Sequence, residues 1–457
     1  MTDVPPILLL ILSILLAMDV VTWSFIIIVE HRDLNKTAAW IVITLILPVI
    51  GCIGYFVIGQ RIWLYGSYRG RKVSGGRLTE SEMPDGLSFL EGLEGADLTF
   101  GNRIEFLSDG KEMFDRLMDD IRNANRSIHL EYYIMMDDEL GKNVFETLAS
   151  KAKEGLDVKV IGDGFGCRKL SDDTKGMLKE SGVELILFQE VGASCFDPKK
   201  NNRDHRKNVI IDGRICYCGG FNICMDYIGM GHLGHWRDSA VRVEGDIAGV
   251  MEKRFLKTCG YCGFDFDDVE TTEPVKAGGD AIVSVYGGPD MRPNPILELH
   301  LGLIREAKKE ILLQTPYFTN KEMIRAVKEA SERGVNVKLI LPGRPDHWFT
   351  FWNNYSCARM LKKTDVDMML YQKGFIHSKA MIVDERICVI GSSNFDDRTA
   401  YYNFETSLAI MSDGCIASMR EAFDEDMKNS KHLVFSEFSG FVPFVKRMIC
   451  GIVRCLG

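Results

Sequence analysis

Two long apolar runs stand close together near the start of the chain. Residues 7–29 are apolar apart from Asp19 and three hydroxyl-bearing residues, and residues 38–58 carry no charge. Each run has the roughly 20 residues that a helix needs to cross a bilayer. A cleaved signal peptide is the alternative for the first run, but no basic segment precedes it and a second run follows directly. The pattern therefore predicts a hairpin of two transmembrane helices within residues 1–65.

Positive charge follows the second run. Five Lys and Arg residues and no acid lie between residues 59 and 77, whereas the loop between the runs has two bases and two acids. Basic segments beside transmembrane helices remain on the cytoplasmic side. We therefore expect both the N-terminus and the long body of the chain to be cytoplasmic.

The body alternates between helical and strand patterns, and it does so twice in the same order. Helix-to-strand segments and a strand-rich segment match between the halves: 119–134 with 303–318, 149–164 with 328–343, and 205–222 with 377–394. Three matches in one order indicate a duplicated α/β unit, so the predicted fold class is α/β with two pseudo-symmetric domains.

Composition suggests where these domains begin and end. A Gly-rich connector over 66–100 leads into a first domain over 101–272, and a stretch rich in Thr, Pro and Gly opens the second domain over 273–435. The remaining segment, 436–457, ends in an apolar stretch with three cations. It could lie on an anionic leaflet as an amphipathic helix, or pack on the body with its cations in solvent.

The third matched pair carries candidate chemistry. Both copies fit His-x-Lys-x4-Asp followed by a Gly-rich turn and an Asn. Residues two apart on a strand share a face, so each His and its Lys should point the same way. One such motif could arise by chance, but two at equivalent positions of a repeat indicate a site. The candidate residues are His205, Lys207, Asp212, Gly220 and Asn222 in the first copy and His377, Lys379, Asp384, Ser392 and Asn394 in the second.

These residue types suit attack on a phosphodiester. Negative charge builds on the oxygens around phosphorus, where two lysines and the neutral donors Asn222, Asn394 and Ser392 could hold it. One neutral His can attack phosphorus, and the other can protonate the departing alkoxide and then act as base on the incoming hydroxyl. The residues themselves do not distinguish which His plays which role.

Each His needs a partner on its other ring nitrogen. Asp238 and Glu405 lie at comparable distances downstream in the two copies, and we interpret them as the orienting carboxylates. Asp212 and Asp384, although part of the motif, stand at the far end of the apolar strand. We expect them to hold the turn rather than contact substrate. Gly220 stands where the second copy has Ser392, so one donor hydroxyl is missing there.

Charge and cysteine usage narrow the class of protein. A net charge of −9 argues against a protein that coats nucleic acid. The thirteen cysteines are scattered through strand-like runs, and one isolated CxxC pair lacks partners for a zinc site. No phosphate-binding loop or dinucleotide glycine motif is present. We therefore expect neither metal nor cofactor.

The paired HKD motifs resemble the phospholipase D superfamily, and the whole chain resembles its bacterial cardiolipin synthases. The similarity extends to "HLEYYI", "HWRDSAVRVEG", "GFIHSKAMIVD", "GSSNFDDRT", "NFETSLAI" and the N-terminal hairpin. It implies an α/β sandwich whose two copies meet at one active site, in a bacterial inner-membrane protein. It also implies transfer of phosphatidyl from one phosphatidylglycerol to another without CTP, with His205 as nucleophile and His377 as acid and base.

Other readings stay open at this point. A phospholipase D that transfers to water, or a phosphatidylserine-type synthase, would use the same residues with a different acceptor pocket. A nuclease fits the apolar runs and the acidic balance less well. An inactive membrane scaffold would be expected to show eroded motifs, but both His, both Lys and both Asn are present. The acceptor lipid, whether phosphatidylglycerol or phosphatidylethanolamine, is not readable from the sequence.

Overall fold

The computed structural model describes residues 34–55, 87–90, 92–189, 201–264 and 276–438, with scattered positions between 6 and 24 and Lys446. The chain divides into two compact units. The first comprises Met1–Ser67, Gly192–Lys200 and Ser439–Gly457, and the second comprises Tyr68–Val191 and Asn201–Phe438.

In the first unit, the described helices are α1 (Leu34–Ile46) and α2 (Pro48–Gly54). They overlap the predicted second apolar span (38–58), with α1 beginning four residues before it, and the helix is interrupted where Pro48 removes a backbone donor. Across the described residues, no helix has the length and apolarity needed to span a bilayer. The predicted first span (7–29) and the C-terminal apolar stretch lie mostly outside the described residues, as does much of the connector.

The second unit contains the duplicated body. Its described helices are α3 (Gly110–Arg122), α4 (Glu139–Lys153), α5 (Asp172–Glu180), α6 (Ile247–Tyr261), α7 (Pro295–Glu306), α8 (Lys321–Glu332), α9 (Trp348–Ala358), α10 (Asp397–Tyr401) and α11 (Asp413–Lys428). Short 3-10 helices cover Ser88–Leu90, Met225–Ile228, Arg359–Leu361 and Phe435–Phe438.

The described strands of this unit divide between the two halves. Those of the first half are β1 (Ala96–Leu107), β2 (Ser127–Tyr132), β3 (Asp157–Asp163), β4 (Glu184–Phe188), β5 (Arg203–Asp204), β6 (Lys207–Ile211), β7 (Ile215–Gly219), β8 (His235–Arg237) and β9 (Ala240–Glu244). Those of the second half are β10 (Asp280–Gly287), β11 (Glu310–Gln314), β12 (Asn336–Pro342), β13 (Asp367–Tyr371), β14 (Gly374–Ile376), β15 (Ala380–Val383), β16 (Ile387–Gly391), β17 (Asn403–Met411) and β18 (Ser430–His432).

The sheet order confirms the duplication. From the centre outwards the first half runs β1-β9-β7-β6-β2-β3-β4, and the second half runs β10-β17-β16-β15-β11-β12-β13, with β18 at its edge. The two halves join where β1 pairs antiparallel with β10. Equivalent strands therefore occupy equivalent places about a pseudo-two-fold axis at this junction.

Strand alternation distributes the core into layers. On β6, Val209 and Ile211 pack with α3 and α4, while Ile210 faces a central core that contains α6 and α11. On β15, Ile382 joins the same central core and its neighbours pack outwards with α7 and α8. Successive side chains of a strand point to opposite faces, so both halves of the sheet are buried on two sides. The result is a sandwich of helices, sheet, helices, sheet and helices.

Candidate active site

Two short strands cross between the halves and deliver the motif histidines. β5 pairs in parallel with the start of β17, and the backbone N–H of His205 donates to Phe404 O at 3.0 Å. β14 pairs in parallel with β8, and the N–H of His377 donates to Arg237 O at 2.7 Å. Each of these hydrogen bonds places a histidine beside the residue that follows its bonding partner in the other repeat.

Those next residues are the two carboxylates. His205 Nδ1 lies 2.9 Å from Glu405 Oε1, and His377 Nδ1 lies 2.6 Å from Asp238 Oδ2. Both carboxylates are fully buried. Burial by itself would raise their pKa, but the facing histidine and lysine outweigh it, and the pKa of each carboxyl is lowered. Each carboxylate thus comes from the opposite repeat, a pairing that sequence reasoning did not foresee.

Burial also acts on the imidazoles. It lowers the pKa of His205, with the cations of Lys207 and Lys379 adding to the effect against Glu405. The same causes lower the pKa of His377 to about 4. A lowered pKa favours the neutral form of the ring, and a nucleophilic imidazole requires that form. With Nδ1 engaged, Nε2 is the nitrogen of each ring left for chemistry.

The two lysines stand beside the histidines. The Lys207 ammonium donates to the His205 carbonyl and lies 5.3 Å from the centre of the Tyr133 ring. Lys379 donates to the His377 carbonyl, and its Nζ is 2.9 Å from His377 Nδ1. Burial lowers the pKa of Lys207 to about 8 and that of Lys379 to about 7. Two desolvated cations close to both imidazoles form a field suited to an anionic phosphodiester.

Both asparagines line the same cavity as the histidines. Asn222 is held by the Ile134 amide, which donates to its Oδ1 at 3.0 Å, and by the Tyr227 hydroxyl. Asn394 is 3% exposed, and within the described residues its side-chain oxygen has no hydrogen-bond partner. Buried amide oxygens normally have partners, so Asn394 Oδ1 is available to accept a hydrogen bond from a ligand.

Ser392 has a different place from the one expected. We expected its hydroxyl to serve as a donor to phosphate, but the hydroxyl donates to Glu405 and accepts from Thr406 N at 3.1 Å. The equivalent residue Gly220 leaves room for a carboxylate instead. A Cβ built on Gly220 would lie 2.6 Å from Asp238 Cγ. The serine and the glycine therefore each fix the orienting carboxylate that lies next to them.

Gly220→Ala should slow the enzyme because the new methyl must displace Asp238 from His377. We expect kcat to fall about 10- to 100-fold, the scale of a misplaced catalytic group. Gly176→Ala is the matched control, since nothing lies within 4 Å of a Cβ at this site on α5. Steady-state assays of both variants test this, and a Gly220→Ala enzyme as fast as Gly176→Ala would contradict it.

The aspartates of the two motifs lie away from the histidines. Asp212 accepts hydrogen bonds from the backbone N–H groups of Asn125, Arg126 and Ser127 at 2.7 to 3.2 Å. Asp384 accepts from the equivalent backbone at Lys308, Lys309 and Glu310. Both aspartates have φ of +54° at the turn after the strand. Each carboxylate ties this turn to the preceding helix–strand junction.

Asp212→Ala should lower stability rather than chemistry. It removes an acceptor of three backbone amides and places alanine at positive φ, so we expect a loss of about 2–4 kcal/mol. The kcat of the folded fraction should stay within about twofold of wild type. Asp119→Ala, at an exposed i,i+3 pair on α3, is the control and should change stability by less than about 0.5 kcal/mol. Thermal unfolding with active-site titration distinguishes the two effects.

A cavity of about 460 Å³ brings both repeats to one site. Its lining includes His205 and His377 together with an aromatic wall that the motif analysis did not single out. Tyr133 packs against His205 with ring centres 4.8 Å apart, while Tyr227 and Trp236 pack against His377 at 5.5 and 5.4 Å. Their signal was present in the segments "HLEYYI", "MDYIG" and "HWRDSAV", but aromatic residues at these spacings equally fit a core.

Comparison with known proteins identifies relatives over most of the chain. Residues 117–246 and 301–427 match a family model described as cardiolipin synthase, PLD-like domain, and residues 11–60 match one described as phospholipase D-nuclease N-terminal. Cardiolipin synthase 1 of Staphylococcus epidermidis is 34% identical over 93% of each chain. Cardiolipin synthase of Clostridium perfringens is 32% identical over 90% of this chain and 91% of its own.

Solved structures share the fold at low identity. Phosphatidylserine synthase of Haemophilus influenzae has a TM-score of 0.59 and 16% identity, covering 77% of this chain and 93% of its own. Polyphosphate kinase of Porphyromonas gingivalis has a TM-score of 0.51 and 14% identity, covering 73% and 48%. The domain model matches more than half of the chain, and relatives more than 30% identical cover at least 90% of it. The chain therefore belongs to the cardiolipin synthase family of phospholipase-D-like proteins.

Proposed function

We propose that the protein joins two phosphatidylglycerol molecules into cardiolipin and glycerol without a nucleotide, metal or other cofactor. The observation that carries this proposal is the pair of imidazoles on one cavity, each oriented by a buried carboxylate of the other repeat. The family membership supports the choice of lipid, and the exchange of one phosphodiester for another needs no energy-rich donor.

In the proposed first step, His205 Nε2 attacks phosphorus of the donor lipid. The anionic lipid phosphate favours the protonated form of His377 in the complex. The bond from phosphorus to the glycerol headgroup oxygen breaks as His377 Nε2 gives that oxygen this proton, which leaves a phosphatidyl-His205 intermediate. In the second step His377 takes the proton of an incoming headgroup hydroxyl, and that oxygen displaces His205. Asp238 Oδ2, 2.6 Å from His377 Nδ1, stabilises the imidazolium form of His377 before the first step and after the second.

The motif lysines and asparagines are proposed to hold the phosphoryl oxygens. Lys207 and Lys379 supply charge, and the side-chain N–H groups of Asn222 and Asn394 are proposed as neutral donors. Asp212 and Asp384 support the turns, and Ser392 and Gly220 position the orienting carboxylates. These roles are assigned from the contacts of each side chain.

Activity should fall as the pH rises through 7 to 8, because the two lysines lose their charge in this range. The pKa of Lys379 is about 7 and that of Lys207 is about 8, so both side chains are fully charged only below this range. The ratio kcat/KM reports groups of the free enzyme, and its pH profile is the measurement. A profile that stays flat to pH 9 would contradict the role of the lysines.

We propose that residues 7–29 and 38–58 anchor the protein in the bacterial inner membrane with the body in the cytoplasm. The two apolar runs, the basic segment after them and the family match over 11–60 support this. The two phospholipase-D-like domains are proposed to span 101–272 and 273–435 after the 66–100 connector. The 436–457 segment is proposed as an accessory contact with the same leaflet.

The test is to incubate purified full-length protein with phosphatidylglycerol alone, without CTP or added metal, and to follow products by mass spectrometry. Cardiolipin with an equal amount of glycerol is the expected result. Phosphatidic acid without cardiolipin would identify a hydrolase instead. Cardiolipin that forms only after phosphatidylethanolamine is added would assign a different acceptor.

A further inference from the structure

A buried charged cluster lies behind His205, on the opposite face of its strand from the imidazole. Arg206 Nε donates to Asp204 Oδ1 at 2.8 Å, and Arg206 Nη2 lies 3.2 Å from Glu131 Oε1. Asn208 Nδ2 donates to Glu131 Oε2 at 3.0 Å. All four side chains are 4% exposed or less. None of them lines the cavity, so the proposed reaction does not use them directly.

The cluster connects the strands that carry the catalytic groups. Arg206 and Asn208 alternate with His205 and Lys207 along one stretch, so they point to the opposite face. Asn208 Nδ2 also donates to Thr406 Oγ1 at 3.2 Å, and Thr406 directly follows Glu405. Glu131 lies opposite Asn208 on the neighbouring strand β2. The Glu131 carboxylate thus contacts the residues on both sides of Lys207. Through Asn208 it is also linked to β17, the strand that carries Glu405.

The second repeat builds the same backbone without these charges. The motif alignment places Ile376, Ser378 and Ala380 at the positions of Asp204, Arg206 and Asn208. Strand pairing places Gln314 opposite Ala380, where the first repeat has Glu131. Ser378 Oγ lies 2.8 Å from Ser239 Oγ, and Gln314 Nε2 donates to Asp426 Oδ2, the carboxylate paired with Arg237. The fold of this stretch therefore does not require charges at these four positions.

Burying three charged groups at positions where the sister repeat has none is unfavourable for stability. Desolvation of ions costs several kcal/mol each, and apolar replacements often stabilise. Burial raises the pKa of Glu131 against the opposing effect of Arg206, so desolvation is large at this site. A cost of this kind at a position next to a reacting group is typical of a functional requirement.

We infer that Glu131, acting through Arg206 and Asn208, is a positioning residue that fixes His205 for in-line attack on phosphorus. The inference rests on the proposed function, whose nucleophile it concerns. A nucleophile must approach within a fraction of an ångström of its productive place, and a displacement of about 1 Å can cost about 100-fold in rate.

The test compares Glu131→Gln with Glu252→Gln in the full-length enzyme. Glu252 is an equally buried carboxylate of the same repeat. It lies on α6, away from the His205 stretch, and its Oε1 is 3.0 Å from Arg126 Nη2. We expect Glu131→Gln to lower kcat about 10- to 100-fold with KM within about twofold, and Glu252→Gln to leave kcat within about twofold. Equal kcat values in the two variants would overturn the inference.

A second variant separates positioning from stability. Glu131→Gln, Asp204→Ile, Arg206→Ser and Asn208→Ala together install the residues of the second repeat and leave no unpaired buried charge. A positioning role predicts slow phosphohistidine formation in rapid-quench experiments with phosphatidylglycerol labelled in its phosphate. Recovery of the wild-type rate would overturn the inference, because it would show that the buried charges only compensate one another. Because this readout precedes the acceptor step, a wrong acceptor lipid alters the products and not this comparison.

Discussion

Changing either His205 or His377 to alanine should lower cardiolipin formation by at least about 10³-fold, because each ring performs a step that the other cannot replace. Loss of His205 removes the nucleophile, and loss of His377 removes the acid and base. The two rings contact one cavity through strands that cross between the repeats. The measurement is cardiolipin produced from phosphatidylglycerol, quantified by mass spectrometry.

Groups that act as a unit are not additive, so the double variant should be no slower than the slower single variant. With phosphate-labelled lipid, His377→Ala should still acquire label on the protein slowly, whereas His205→Ala should acquire none. His432→Ala is the control, since this ring is 74% exposed at the edge of the sheet. Full activity in either catalytic variant would refute a site shared by the two repeats.

The repeat and its motifs could be read from the sequence because they rest on local patterns. Strand alternation, helix amphipathicity and the spacing of His, Lys and Asp each involve only a few neighbouring residues. The equivalent places of β6 and β15 in the sheet order follow from that duplication. Asp212 and Asp384 also lie at the strand ends, where the pattern indicated a turn.

The pairing of each histidine could not be read in this way. His205 is closer in sequence to Asp238, yet it bonds to Glu405, which is 200 residues away. The exchange depends on β5 and β14 each adding to a strand of the other repeat, and those strands are only two or three residues long. Such short elements carry no sequence period, so only the assembled fold reveals them.

The role of Ser392 could not be read from the sequence for a similar reason. A hydroxyl near a motif asparagine is equally compatible with a phosphate or with a carboxylate, and the choice depends on where Glu405 lies. In the structure Glu405 is close enough to take the hydroxyl, and the shorter Asp238 on the other side requires a glycine. The two repeats thus solve the same problem with different side chains.

The crossed pairing predicts which histidine each carboxylate controls. Glu405→Gln should disturb His205, and Asp238→Asn should disturb His377, with kcat lowered about 10²- to 10⁴-fold in each. An amide keeps the shape but cannot stabilise an imidazolium, so the pKa of the facing histidine falls further. The pKa of the other histidine should change much less. The measurement is a pH titration of ¹⁵N-labelled histidines by NMR, assigned with the two alanine variants.

The control for this experiment is again Glu252→Gln, a buried carboxylate whose contacts are Arg126 and His129. It should leave the titration of both catalytic rings unchanged. A shift of His205 in Asp238→Asn, with His377 unaffected, would mean that each repeat orients its own histidine. That result would contradict the exchange of β5 and β14, because without the exchange each carboxylate would lie beside the histidine of its own repeat. If each substitution instead changes the titration of only the histidine in the opposite repeat, then neither repeat can form a competent imidazole alone. Duplication is then required for the chemistry.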